Sequence, residues 1–401
     1  MRNNQKIPEG WSVKKLGDLG IFSKGSGITK NDLVSDGLPC IRYAELYTKY
    51  NFVIPNCVSF ISEEVSKTAK PIQCGDILFA GSGETKEEIG KCAVYDNPIT
   101  AYAGGDNIIL HPSGVNSVFL SYFLNTAGRR YLNRLGQGDS IVHIHAEHLK
   151  KVYAPIPPLP EQEKIALVLG TWDEAIEKLS ALIEQKKLLK KGLMQKLLTG
   201  QTRLPTFTQP WNEVKLGSVL ESISNRNKNL NITRVLSVTN SRGFVLPEEQ
   251  FARVVASEDL SNYKIVKKGE FAYNPSRLNV GSIDRLDNFA DGVLSPMYVI
   301  FKCNEQLLSD YMKHWITTTE FNSKVRNSAQ GSVRETVDFK TLSTIKIRLP
   351  SDITEQQAIA DVLSTADEEI NLLNKKLEAL KEQKKGLMQQ LLTGQIRVKV
   401  N

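Results

Sequence analysis

Apolar residues return along two stretches of the chain at alternating spacings of four and three. From Ile165 the walk passes Leu169, Trp172, Ile176, Leu179, Ile183, Lys186, Lys190, Leu193 and Leu197, so eight of ten positions are apolar. From Ile359 it passes Leu363, Ala366, Ile370, Leu373, Leu377, Leu380, Lys384, Leu387 and Leu391, nine of ten. A mean step of 3.5 residues keeps one stripe of a helix facing a partner helix over many turns, which a helix resting on one globular core does not need. The pattern predicts two long helices that pair with each other, their seams being equal in length and register. From Ile165 to Leu197 such a helix rises ~48 Å at ~1.5 Å per residue. Pro160 marks a start, and Gly200 and Gly394 mark the two ends. Gly192 and Gly386 fall inside the pattern, where glycine costs about 1 kcal/mol against alanine. Close helix approach or a kink would account for them.

The two stretches are copies. At an offset of 194, residues 161–200 align with 355–394 without a gap, and 23 of 40 positions are identical. Chance at this composition gives about two or three. A weaker repeat lies outside the helices: Trp11, Lys15, Leu16 and Gly17 recur as Trp211, Lys215, Leu216 and Gly217, and Gly75-Asp76 recurs as Gly269-Glu270. Short β-like runs at Asp76–Ala80, Asn107–Leu110, Met297–Phe301 and Thr344–Leu349 are separated by Gly, Asn and Pro turns. The expected class is mixed α/β (α+β), two similar globules alternating with two long helices. The boundaries read as globule 1–158, helix segment 159–200, linker 201–210, globule 211–349, helix segment 350–395 and tail 396–401.

With 41% hydrophobic and 24% charged residues, 401 residues supply more than one packed core, and no run of about 18 apolar residues exists to span a bilayer. Five cysteines, never spaced C-x-x-C, suggest reduced thiols in a cytoplasmic chain without a structural zinc cluster. The net charge of +7 rests mainly in the globules and permits an anionic partner. Two similar surfaces held by paired helices suit a reader of two half-sites on a duplex; a tether with two protein-binding heads fits the repeat equally.

No G-x-x-x-x-G-K-[ST] loop occurs, which argues against nucleotide hydrolysis. Asp76 with Glu84-Thr85-Lys86 could be drawn as a metal nuclease, but the corresponding loop of the second globule reads Asn274-Pro275-Ser276-Arg277. That Asn274-Pro275 is similar to the Asn-Pro-Pro-aromatic loop of amino-methyltransferases, yet Ser276 and Arg277 depart from it and no glycine-rich cofactor loop accompanies it. His143, His145 and His148 have metal-like spacing, but their counterparts are Thr336, Asp338 and Thr341, so surface histidines are the expectation. The chain is expected to be non-catalytic and to bind no metal.

Cations and amides fill the globule loops: Lys24, Lys30, Arg42, Lys49, Lys86 and Lys91 in the first, and Arg226, Lys228, Arg234, Asn240, Arg242, Arg277, Asn279 and Arg285 in the second. Arg can bridge guanine O6 and N7, and Asn adenine N6 and N7, so these are the candidate DNA-binding residues.

The proline-rich Pro155-Ile156-Pro157-Pro158-Leu159-Pro160-Glu161-Gln162, its partner from Leu349-Pro350 to Glu355-Gln356, the twin GLMQ-LLTGQ helix ends and the Gly75-Asp76-Ile77-Leu78-Phe79 strand together resemble the DNA-specificity subunit of type I restriction-modification enzymes. The likeness spans essentially the whole chain; the second proline stretch departs from it, reading Leu-Pro-Ser-Asp-Ile-Thr. The resemblance implies two target recognition domains, each reading half of a bipartite asymmetric DNA sequence, and an antiparallel helical spacer. It further implies docking to two methyltransferase (modification) subunits and to restriction/translocation subunits, which would hold S-adenosylmethionine, ATP and Mg. The specificity chain of another multi-subunit restriction or methylation system stays open as an alternative.

Overall fold

The computed structural model describes residues 7–137, 142–249, 259–329 and 336–400. The two heptad stretches are helices Leu159–Leu197 and Ile353–Leu392, of 39 and 40 residues. All twenty seam positions are buried or half-buried, the three lysines included. Each helix ends at a glycine with left-handed backbone, φ 71° at Gly200 and 70° at Gly394. There Thr202 N–H donates to Lys196 O at 3.2 Å and Ile396 N–H to Gln390 O at 3.3 Å, satisfying carbonyls of the last turn. A Cβ would lie 3.3 Å from the Trp211 ring at Gly200, a tight contact, and 2.2 Å from Pro8 at Gly394, so conformation disfavours a side chain at both and space excludes one at Gly394. Gly192 and Gly386 differ from expectation: a Cβ on either would meet nothing within 4 Å, and both helices run through unbroken. Close helix approach is not what these two glycines serve.

The chain forms two compact units, residues 1–180 with 376–401, and residues 181–375. Each unit takes in parts of both long helices, because the apolar stripe at each end of each helix is covered by a globule. In the first unit Ile165, Leu169, Leu391 and Leu392 join Leu16, Phe79, Phe119 and Leu149 in one core. In the second, Leu197, Leu198, Ile359 and Leu363 join Leu216, Phe271, Trp315 and Leu342. An early part of one helix meets a late part of the other in both units, so the helices pair antiparallel. The lysines in the seam find carboxylates: Lys384 bonds Asp173 in the first unit, and Lys190 Nζ lies 2.5 and 2.6 Å from the two Asp367 oxygens in the second.

Both globules are built on one frame. Their first and last strands pair antiparallel, Ser12–Lys15 with Tyr153–Ile156 and Trp211–Lys215 with Lys346–Pro350. Inside, the order Gly20–Lys24, Asn107–Pro112, Ile77–Ala80, Cys92–Tyr95 in the first unit matches Leu220–Ile223, Val299–Cys303, Phe271–Tyr273, Ile283–Arg285 in the second. Val53–Ile54 adds a fifth strand to the first sheet, and a separate five-stranded sheet runs Leu33–Val34, Ser59–Ile61, Leu38–Ile41, Ala101–Ala103, Lys70–Ile72. The second globule carries instead the hairpin Ser237–Thr239 with Gly243–Val245 and the pair Lys264–Lys267 with Asp291–Leu294. The expected mixed class is observed. Strand Ile77–Ala80 reads as an unbroken apolar run because it is covered on both faces: Ile77 and Phe79 enter one core, Leu78 and Ala80 another. Phe271 and Tyr273 against Ala272 divide in the same way. Thr344 departs from its expected strand, ending helix Phe339–Thr344 instead.

Candidate nucleic-acid interface

The residues that repeat most faithfully are fasteners. In the first unit the Glu161 carboxylate, 3% exposed, receives Trp11 Nε1–H at 3.1 Å and Arg397 Nε–H and Nη2–H at 2.6 and 2.7 Å. In the second, Glu355 receives Trp211 Nε1–H at 3.2 Å and Arg203 Nε–H and Nη2–H at 2.9 and 2.7 Å. The adjoining glutamines act alike: Gln162 accepts from Asn116 N–H at 2.8 Å and donates to Pro157 O at 2.7 Å, while Gln356 accepts from Leu308 N–H and donates to Pro350 O, both at 2.9 Å. Two-pronged Arg–carboxylate pairs of this kind are strong and directional. Arg203 lies in the expected linker and Arg397 in the expected tail, so both segments are part of the packed units. Identity of Glu161 with Glu355 and of Arg203 with Arg397 at the same offset was the available signal.

In the second unit the turn between strands Ser237–Thr239 and Gly243–Val245 abuts the turn at 277–281: a Cβ on Gly281 would sit 3.8 Å from the Asn240 Cβ. The structure thereby gathers Asn240, Arg242, Arg277 and Asn279 on neighbouring turns, all but the half-buried Asn279 exposed. Lys228 is exposed on a separate loop, as is Arg226, whose Nη1–H donates to Asn262 O at 3.0 Å. Arg234 lies over the Phe289 ring at 5.3 Å and donates to Asp291 O at 3.0 Å. Arg285 does not join the surface group. Its side chain is 13% exposed and bonds Asp287 at 2.7 Å and Asp310 at 2.6 Å, because it bridges a strand to helix Ser309–Trp315.

In the first unit Lys24 projects from a strand end, 72% exposed and 3.9 Å from Asp106. Asp106 accepts from Ser82 Oγ–H at 3.1 Å, and Ser82 Oγ lies 2.9 Å from His143 Nδ1, so Lys24, the short strand Ser82–Gly83 and its partner strand Val142–His143 are gathered at one edge. Lys30, at the start of the short helix Lys30–Asp32, and Lys49 and Lys86, on separate turns, are exposed. Arg42 is engaged inside the globule, holding the buried Glu45 carboxylate at 3.3 Å. Lys91 is half-buried.

The tempting catalytic groups fall elsewhere. Asp76 receives Gln73 N–H at 2.8 Å and lies 2.7 Å from His111 Nδ1, while Glu84 is exposed. His111 Nε2 is in turn 2.9 Å from Ser23 Oγ, an acid–imidazole–hydroxyl row that the sequence reading missed. Gly25 N–H donates to Asn107 O, so two residues along each strand Ser23 and Ile109 form a hydrogen-bonded pair, and the Ser23 amide is committed to the ladder rather than to an oxyanion. This row ties two strands to the turn that precedes strand Ile77–Ala80. His145 and His148 have ring centroids 5.7 Å apart, while His143 turns to Ser82. Among the described residues no group of three His, Cys, Asp or Glu side chains is placed to hold a metal ion, and no helix is long and apolar enough to cross a membrane.

Residues 8–186 and 295–382 match a protein family described as the type I restriction modification DNA specificity domain. The chain is 27% identical over 431 residues to a putative type I restriction enzyme MjaX specificity subunit of Methanocaldococcus jannaschii, covering 98% of this chain and 95% of that protein. It is 28% identical over 212 residues to the EcoKI specificity subunit of Escherichia coli K12, covering 51% of this chain and 45% of that one. Among solved structures, the S subunit of a type I restriction-modification system from M. genitalium shares the fold, with a TM-score of 0.62, 16% identity and 98% of each chain covered.

Proposed function

This chain belongs to the type I restriction-modification DNA-specificity family, and from that premise we propose that it is the sequence-reading, non-catalytic subunit of such a complex, each globule reading one half of a bipartite target. The observation that carries the reading is a pair of globules alike in frame and fastening yet different in surface turns. The Trp–Glu–Arg fasteners and framing strands recur, whereas the residues on the connections differ: Asn240, Arg242, Arg277 and Asn279 in the second globule, Lys24, Ser82 and His143 in the first. A reader of an asymmetric sequence needs this combination, since phosphate contacts only position the protein while base contacts specify. In this reading Asn240, Arg242, Arg277 and Asn279 face bases or phosphates of one half-site, and the Lys24 edge with Lys86 faces the other. Methyl transfer with S-adenosylmethionine and ATP-driven, Mg-dependent cleavage are assigned to methyltransferase and restriction subunits docked on the chain in the cytoplasm. Replacing residues 1–158 by the corresponding globule of a relative, co-expressing the methyltransferase and sequencing methylated sites tests it. One half of the target is expected to change; a change in both halves, or in neither, overturns the reading. Purified chain alone is expected to show no nuclease, ATPase or methyltransferase turnover.

A further inference from the structure

Several cations that serve the fold have a carboxylate beside them: Arg285 has Asp287 and Asp310, Arg397 has Glu161, Lys384 has Asp173 and Arg42 has Glu45. Arg129 and Lys91 in the first unit do not. Both are half-buried, and neither forms an ion pair among the described residues. Arg129 Nη2–H donates to the Glu87 carbonyl, while Nη1 is buried without any hydrogen-bond partner.

The fold brings the two together. Lys91 precedes strand Cys92–Tyr95, and Arg129 opens the short helix Arg129–Asn133. Asn125 staples these segments, accepting from Cys92 N–H at 3.2 Å and donating to Cys92 O at 2.6 Å. Gly128 N–H then donates to Phe123 O at 2.8 Å, turning the chain between Asn125 and Arg129. Burial holds Lys91 below its ordinary pKa, and the positive field of Arg129 lowers it further, as like charges at close quarters must. Glu87 contributes some opposing field at Arg129 but no ion pair, and the Glu88 carboxylate is turned to the amides of Glu84 and Thr85 at 2.9 and 3.1 Å. Two desolvated cations with an unmade hydrogen bond are unfavourable as they stand and call for an anion.

We propose that Arg129 and Lys91 form one anion site that takes a single backbone phosphate of the bound duplex. A phosphodiester supplies one negative charge and two non-bridging oxygens, enough for a guanidinium and an ammonium together. The site lies on the segment that also carries Lys86, and it gives Lys91 a positioning task rather than a base-reading one. It rests on the DNA-reading function proposed above and deepens it.

The test uses the complex assembled with its methyltransferase subunits, with affinity measured for a target duplex and an unrelated duplex at 50 to 200 mM salt. Arg129→Gln is expected to weaken both duplexes by the same factor, and to lower the slope of log affinity against log salt by about 0.9, the value for one phosphate. Over that salt range the affinity lost is then about 3.5-fold smaller than in the parent. Lys91→Gln is expected to do the same, and the double variant no more than either single one, since both side chains hold one phosphate. Methylated sites sequenced for either variant stay the same. Lys91→Gln carries the test alone if Arg129→Gln does not fold. An unchanged slope in folded variants, additive slope losses, or weakening confined to the target duplex overturns the site. So does thermal stabilisation of the parent, but not the variants, by inorganic phosphate with the DNA slope unchanged, which would identify a free anion as the ligand. A parent complex with no salt-dependent DNA binding would instead overturn the DNA-reading function itself.

Discussion

The lysines that interrupt the apolar seams lead to an asymmetric prediction. Lys384 is 6% exposed, bonds Asp173, and lies 4.5 Å from the Phe52 ring centroid and 5.3 Å from that of Tyr122. Asp173 is 29% exposed and also accepts from the Tyr122 hydroxyl at 2.5 Å. Two unit charges about 4 Å apart attract by about 4 kcal/mol at an effective dielectric near 20, and most of that offsets desolvation while the pair is intact. Asp173→Asn strands an ammonium that has almost no access to water, and is expected to cost about 3 to 5 kcal/mol. Lys384→Leu strands a carboxylate that keeps Tyr122 and partial hydration while adding an apolar side chain to the seam; about 1 to 2 kcal/mol is expected. The double variant Asp173→Leu/Lys384→Leu should return to within about 1 kcal/mol of the parent or exceed it. Burial already holds the Lys384 pKa below its ordinary value. Without Asp173 the folded state binds this proton more weakly still than the unfolded chain, so the cost of Asp173→Asn should shrink as pH rises toward 10. Urea denaturation followed by helical circular dichroism, with midpoints compared at fixed slope, measures all three variants. Equal costs for the two single variants, or less than about 1 kcal/mol for Asp173→Asn, would refute the reasoning.

Removing either fastening arginine should strand a buried carboxylate with only an indole partner, so Arg397→Ala and Arg203→Ala are each expected to cost about 2 to 4 kcal/mol by urea denaturation, and truncation after Gly394 should reproduce the first. His314 is buried against Ser364 Oγ at 3.0 Å, and burial, with Lys190 nearby, pushes its pKa down to about 4 from the usual 6.5. The unfolded chain therefore takes up this proton first as pH falls. Stability should be full above about 6.5 and drop by up to about 3 kcal/mol on the way to pH 4, a slope that His314→Gln should flatten in thermal melts across that window.

Heptad spacing and an internal offset were enough to determine the two long helices, their pairing, their glycine stops and the duplicated globules, because an apolar stripe of period 3.5 keeps facing a partner helix over many turns. Strand Ile77–Ala80 was legible for a similar reason, as an apolar run too short for a helix. The candidate interface was legible only as a vocabulary of cations. Arg285 and Arg277 are the same residue type eight positions apart, yet one is locked between Asp287 and Asp310 while the other is exposed on a turn. Which carboxylates stand beside a cation depends on strand pairings far apart in the chain, and periodicity carries nothing of that. Glu161 and Arg397 stand 236 residues apart and Glu355 and Arg203 152 apart, so only tertiary structure could show that the repeated motif is a fastener. The compact units cut each long helix in mid-course, since burial of a helix face follows whichever globule covers it and not the continuity of the backbone.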